Sequence, residues 1–184
     1  MREIYKISVR KKQAPLRELY KNTPVEALIT DCGRSSSGLD RDPFHGKVIP
    51  GSKDYGVVWS YGIHRAIGGD HDEPNPGDML CSALAACMDS TIRMIADHLG
   101  VKLTFLEVKV EAEVDVRGCL VVDRNVHVGF QKMECRVNIQ TAEGTDPKLE
   151  KMLKSASEYS CVNMNTLRSG VPIETTFNVT DIET

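Results

Sequence analysis

Two cysteines carry the chemistry this sequence offers. Cys87 stands in the uncharged, helix-patterned run NPGDMLCSALAACMDSTIRM, and Cys161 opens the segment CVNMNTLRSG more than seventy residues later. A thiolate attacks peroxides and disulfides, so two cysteines placed this way point to thiol redox chemistry. The N-terminus, MREIYKISVRKK, is charged throughout and lacks the apolar core of a signal peptide. The expected location is therefore cytoplasmic, where the six cysteines do not form a structural disulfide framework.

The other four cysteines read as packing or surface residues. Cys81 lies six residues before Cys87, roughly 120° around a helix and so off its face. Cys135 takes an inward position on a strand, and Cys119 follows a turn glycine. Cys32 falls in a loop and is open to adventitious oxidation. No CxxC, HExxH or zinc-spaced Cys/His cluster occurs, which removes the strongest metal readings. His45, His64, His71, His98 and His127 lack ligand spacing, and the acidic loop Asp70-His71-Asp72-Glu73 reads as a solvated turn.

How a cysteine in mid-helix becomes reactive depends on the elements around it. After Pro76 the period turns helical: Leu80, Leu84, Cys87, Thr91, Ile95 and Leu99 recur at three- and four-residue steps, and Gly100 stops the pattern. Cys81, Ser82, Ala85 and Ala86 on the other side are small and uncharged, so this helix can be covered all round. Cys87 then lies on the order of 15 Å from the helix start, beyond useful reach of the dipole. Burial alone raises a thiol pKa, so an active Cys87 needs a cation, and an inactive one is a small core residue. Cys161 has the better local position, because amides at a helix start stabilise a thiolate.

The remaining pattern is mixed. Ile4–Val9 alternates as a short strand, LRELYKN suits a helix, and ALIT forms an apolar patch before Asp31. Cys32–Gly56 reads as a long loop through GRSSSG, DP, HG, PGS and DYG. Val57–Ile63 is a strand, and Leu106–Val116 and Met133–Ile139 alternate with charged residues as longer ones. Asp146-Pro147 starts a helix with Leu149, Met152, Leu153 and Ala156 on one face. A short helix runs from Cys161 to Gly170, and Ile173–Val179 closes the chain as a strand. The expected class is α+β, with residues 1–56 an N-terminal extension of the same domain and 57–184 the core. The net charge of -3 and scattered Lys and Arg give no footprint for nucleic acid, and Met79–Met88 is too short an uncharged run to span a membrane.

Two motifs carry a family resemblance. PNPGDMLCSALAACM resembles a signature in which NPxxL or PxEL precedes small and apolar residues ending in AAC, and SEYSCVNMNTL resembles a second in which CPV opens a short helix. On these motifs the chain resembles the OsmC/Ohr family, the osmotically inducible protein C and organic hydroperoxide resistance proteins, across residues 57–180. The resemblance implies an OsmC-like fold, antiparallel sheets wrapped around central helices in an intertwined homodimer with sites at the interface. It also implies a peroxidase without metal or flavin, in which Cys87 attacks the hydroperoxide and Cys161 resolves the sulfenic acid as a disulfide. Arg65, in YGIHRAIGG, is the implied activating cation with Arg34 in reserve, and Asp78 is the implied carboxylate that orients it. An external dithiol reductant of lipoyl or thioredoxin type follows as a partner. Two departures stand out: Gly77 where the hydroperoxide resistance branch carries the acid, and Val162 where the second signature has proline. Two other readings remain: a noncatalytic redox sensor or small-molecule binder on the same fold, and a structural dimer whose cysteines only pack.

Overall fold

The computed structural model describes residues 8–35, 42–51 and 55–179. Its centre is one long helix, α2 (Pro76–Leu99), and local chemistry sets both ends. The Asn75 side chain accepts from the amides of Gly77 and Asp78, while the Asp78 carboxylate accepts from the Asn75 amide at 3.0 Å, a reciprocal capping box behind Pro76. At the other end Gly100 takes the left-handed conformation, φ 73°, and its amide bonds back to Ala96 and Asp97. By length and composition α2 also meets the requirement for crossing a bilayer. Central helices of globular domains meet the same requirement, and here β4 (Leu103–Glu113), α3 (Pro147–Ser160) and α4 (Val162–Ser169) pack on it.

The buried face of α2 runs through Leu84, Met88, Ile92 and Ala96, joined by Val101, Leu153 and Cys161. That stripe is rotated from the one the period predicts: Leu80 is 41% exposed, and Cys87 lies at the edge of the core. The small residues Ser82, Ala83 and Ala86 on the far side are open to solvent within the subunit.

β4 pairs antiparallel with β5 (Lys132–Thr141), in a register that sets Val110 opposite Cys135 and Leu106 opposite Ile139. Leu106, Val108 and Val110 of β4 and Met133, Cys135 and Ile139 of β5 pack on the core, while most of the charged residues between them face water. Asp146 caps α3 through the Lys148 amide at 2.8 Å, with Pro147 behind it, as expected. Leu153 is the buried anchor of that helix, whereas Met152, placed on the same face by sequence, is 52% exposed.

A second sheet, ordered β1-β2-β3 and antiparallel, comprises β1 (Gly33–Ser35), β2 (His45–Pro50) and β3 (Trp59–Gly62). Two of its strands occupy the stretch expected to be loop. Their apolar content is low, and pairing rather than hydrophobic alternation makes them strands. Ahead of them α1 (Val9–Asn22) is capped by Ser8 and held against the C-terminal end of α2, where the Val9 amide donates to Asp97 Oδ2 at 2.8 Å. Of the strand expected at Ile4–Val9, residues 4–7 lie outside the described residues, and Val9 begins a helix instead. The strand expected at Ile173–Val179 does not form. That segment pairs with neither sheet, and Ile173, Phe177 and Val179 are all more than 80% exposed.

Candidate active site

Cys161 occupies a break between two helices. It is the C-cap of α3 and the N-cap of α4, in extended backbone at φ -72°, ψ 108°, and no part of it reaches solvent. Two asparagines hold the break in place. Asn165 donates from Nδ2 to the carbonyls of Glu158, Tyr159 and Cys161, satisfying the carbonyls that α3 leaves open. Asn163 donates from Nδ2 to the Ala83 carbonyl of α2 at 2.9 Å, which fastens the start of α4 across α2. Neither asparagine was singled out from the sequence. The signal was there in CVNMN, where polar residues follow the cysteine at two and four positions inside a helix that disfavours them.

This clamp brings the two cysteines together. Cys161 Sγ donates to Cys87 Sγ at 3.4 Å, and the Asn163 amide points at the same Cys87 sulfur at 3.5 Å. Cys87, too far along α2 to use its own helix start, thus sits against the start of α4. The first-turn amides serve both sulfurs, since the Met164 amide bonds to Cys161 and favours its thiolate. Burial outweighs that and pushes the Cys161 thiol above the ordinary range, with the hydrogen bond to Cys87 acting in the same direction. The separation exceeds the S–S bond of about 2.05 Å, so both cysteines are free thiols within a short approach of a disulfide.

The other residues expected at the site lie elsewhere in the subunit. Arg65 begins a 3-10 turn, Arg65–Ile67, and its Nε donates to the Asp70 carbonyl at 3.0 Å. Arg34 lies exposed on β1. Asp78 spends its carboxylate on the capping box, bonding the Asn75 backbone and side chain, with His71 Nε2 3.9 Å away. Among the described residues no guanidinium hydrogen-bonds either sulfur, and Arg65 and Asp78 do not pair. At Gly77 a side chain would approach Asn75 Oδ1 to 2.9 Å and the Phe130 ring to 3.1 Å, so Phe130 fills the space where an acid would project. Trp59 and Tyr61 lie on β3 and do not line the cavity beside the cysteines.

That cavity, of about 950 Å³, opens between α2, β5, α3 and α4. Leu84, Met88, Met133 and Met164 form its apolar wall, and Lys132, Lys154 and Arg168 stand among its polar lining.

A family model described as OsmC-like protein matches residues 69–176, more than half of the chain and both cysteine motifs. Among solved structures, an OsmC-like protein from Mycoplasma pneumoniae is similar at 15% identity and TM-score 0.60, over 77% of this chain and 89% of that one. An organic hydroperoxide resistance protein from Elizabethkingia anophelis aligns at 19% identity and TM-score 0.58, over 78% of this chain and 91% of that one. An OsmC-like protein of unknown function from Vibrio cholerae aligns at 12% identity and TM-score 0.59, over 76% and 94%. At these identities the likeness is one of fold. No curated protein matches the sequence.

Proposed function

Since the chain belongs to the OsmC-like protein family, we propose that it is a cysteine-based peroxidase that reduces organic hydroperoxides or hydrogen peroxide in oxidative stress defence. The observation that carries this reading is the contact of 3.4 Å between the Cys87 and Cys161 sulfurs, with an α4 amide directed at Cys87. Cys87 as thiolate attacks the distal peroxide oxygen. The O–O bond breaks, the alcohol leaves after taking a proton, and Cys87 becomes a sulfenic acid. Cys161, having lost its proton, attacks the Cys87 sulfur. A disulfide forms, and the hydroxyl departs as water.

The reading places the reaction in the cytoplasm and assigns recovery of the thiols to an external dithiol of lipoyl or thioredoxin type. It also takes the working form to be a homodimer. Arg65 is the proposed activating cation and Asp78 its proposed orienting acid, arriving at Cys87 across the dimer rather than within one subunit.

A second reading, a noncatalytic redox sensor or small-molecule binder, is favoured by Phe130 filling the space beside Gly77 and by Arg65 being held on the Asp70 carbonyl. One experiment separates them. Reduced protein receives one equivalent of cumene hydroperoxide, is acid-quenched within seconds, and is mapped by mass spectrometry. A Cys87–Cys161 disulfide as the first product, with catalytic peroxide consumption once a dithiol is supplied, is the expected result. Scattered sulfenic acids, or unchanged turnover in Cys87→Ser, would end the peroxidase reading.

A further inference from the structure

The cavity between α2, β5, α3 and α4 has no part in that cycle, and neither Cys87 nor Cys161 lines it. Its volume of about 950 Å³ falls within the range that small-molecule ligands occupy. Met88, Met133 and Met164 bring flexible thioether chains to its wall from α2, β5 and α4, a surface that adapts to an apolar ligand. A second cleft, of about 380 Å³, shares Lys154, Glu158 and Arg168 with the cavity, so these charged side chains mark where the two meet.

The charges at that junction do not balance. Ser157 and Glu158 lie three and four residues beyond Lys154, on one face of α3. Arg168 of α4 approaches Glu158 only to 4.0 Å, and Lys154 pairs with no carboxylate among the described residues. Two cations therefore share one carboxylate. Ser157 adds an unmet hydrogen bond: it is 3% exposed, lines the cavity, and its Oγ has no partner among the described residues. Buried hydroxyls are normally bonded, so this one points to a group that the subunit itself does not supply.

We propose that the cavity binds a single-chain anionic amphiphile. Its hydrocarbon chain lies along the methionine wall, and its head oxygens accept from Lys154, Arg168 and the Ser157 hydroxyl. A carboxylate and a phosphate share this chemistry, and relative affinity separates them. Charge selects the anion: a cationic head would add to the excess of Lys154 and Arg168, and an uncharged one would leave both cations as they are. Binding here does not depend on the peroxidase reading, because no sulfur of the reacting pair lines the cavity and no bond is made or broken.

The test titrates full-length reduced protein, isotope-labelled at the methionine methyls, with laurate, dodecyl phosphate and dodecanol, each below its micelle-forming concentration. One or both anions should shift the Met88, Met133 and Met164 signals saturably and leave those of Met94 and Met152, which are exposed elsewhere, in place. Laurate as the tighter ligand makes the head a carboxylate; dodecyl phosphate makes it a phosphate. Dodecanol should bind about tenfold more weakly than the better anion. Lys154→Gln combined with Arg168→Gln should lower anion affinity to that of dodecanol and leave dodecanol unchanged, which also shows that the variant keeps its cavity. Ser157→Ala should weaken the anion about threefold while the Tm of the unliganded protein holds or rises, since the change removes an unpaired hydroxyl. Absence of a saturable shift with either anion would overturn the proposal, as would shifts that spread to Met94 and Met152. Equal affinity for anion and dodecanol, or anion binding indifferent to the double substitution, would overturn it as well.

Discussion

Burial makes Cys161 a reluctant nucleophile. Its thiol is pushed above the ordinary range, chiefly by desolvation, so near neutrality only a small fraction is thiolate. That fraction rises with pH until the thiol's own pKa is passed. The resolving step, followed as the decay of the Cys87 sulfenic acid by dimedone trapping, is therefore expected to accelerate about tenfold per pH unit between about pH 6 and 8. A pH-independent decay would mean that another group attacks Cys87. Cys161→Ser removes the attack altogether. Sulfenic acid should then accumulate on Cys87 after one turnover, and steady-state peroxide consumption with a dithiol should fall on the order of 10²-fold. The clamp residue Asn163 makes a finer point: Asn163→Ala keeps its amide but loses the bond to the Ala83 carbonyl. Slower disulfide formation with an unchanged first attack on peroxide is expected from it, read by stopped-flow.

At the scale of elements, the start of α2 separates a structural role from a catalytic one. Asp78→Ala removes half of the capping box and should cost about 1 kcal/mol, seen as a fall in Tm of about 2–4 °C for a chain of this size. If capping is its only role, the peroxide rate constant will not move; a loss of rate beyond that of Asn75→Ala assigns Asp78 to the arginine as well. The connector before α2 carries a pH-dependent clasp. His45 donates from Nδ1 to Asp42 and from Nε2 to Asp72, each at 2.9 Å, and these bonds raise its pKa above the ordinary 6.5. A raised histidine stabilises the fold fully below about pH 6.5 and loses that contribution as pH climbs through its folded value. NMR titration of His45 should show the upward shift, and exchange of the His71 amide, bonded to the Ile63 carbonyl at 3.0 Å, should speed up above it. Such ends and turns were legible where chemistry is local: Pro76, Asp146-Pro147, Gly100 and Gly170 all mark real boundaries. The strands β1 and β2 were not, since only pairing reveals them. The meeting of Cys87 with Cys161 followed from a resemblance between motifs, while the asparagine clamp behind it joins residues eighty positions apart and leaves no periodic trace.

For the whole molecule, exposed area is the most telling quantity. The chain exposes 14978 Å², whereas a compact chain of 20.4 kDa exposes about 8,800 Å². The excess is apolar in part: Ala83 and Ala86 on α2 are uncovered, Trp59 is 51% exposed, and the tail through Ile173, Phe177 and Val179 lies unpaired. An open apolar surface of this kind suits a partner, and we propose a second copy of the chain, the partner the family resemblance implies. Sedimentation should accordingly give twice the chain mass at micromolar concentration, with the tail protected from exchange. The proposed dimer would also give Arg65 a route to Cys87, since within one subunit its Nε donates to the Asp70 carbonyl. Mixed dimers test that route directly. Cys87→Ser and Arg65→Ala are each expected to be nearly inactive alone. Refolded together, a subunit that retains Arg65 and a subunit that retains Cys87 can form one complete site if the arginine acts across the interface. Half of the mixed dimers' sites should then recover peroxide turnover. If Arg65 served the cysteine of its own chain, every site in the mixture would lack one of the two residues, and no activity would return.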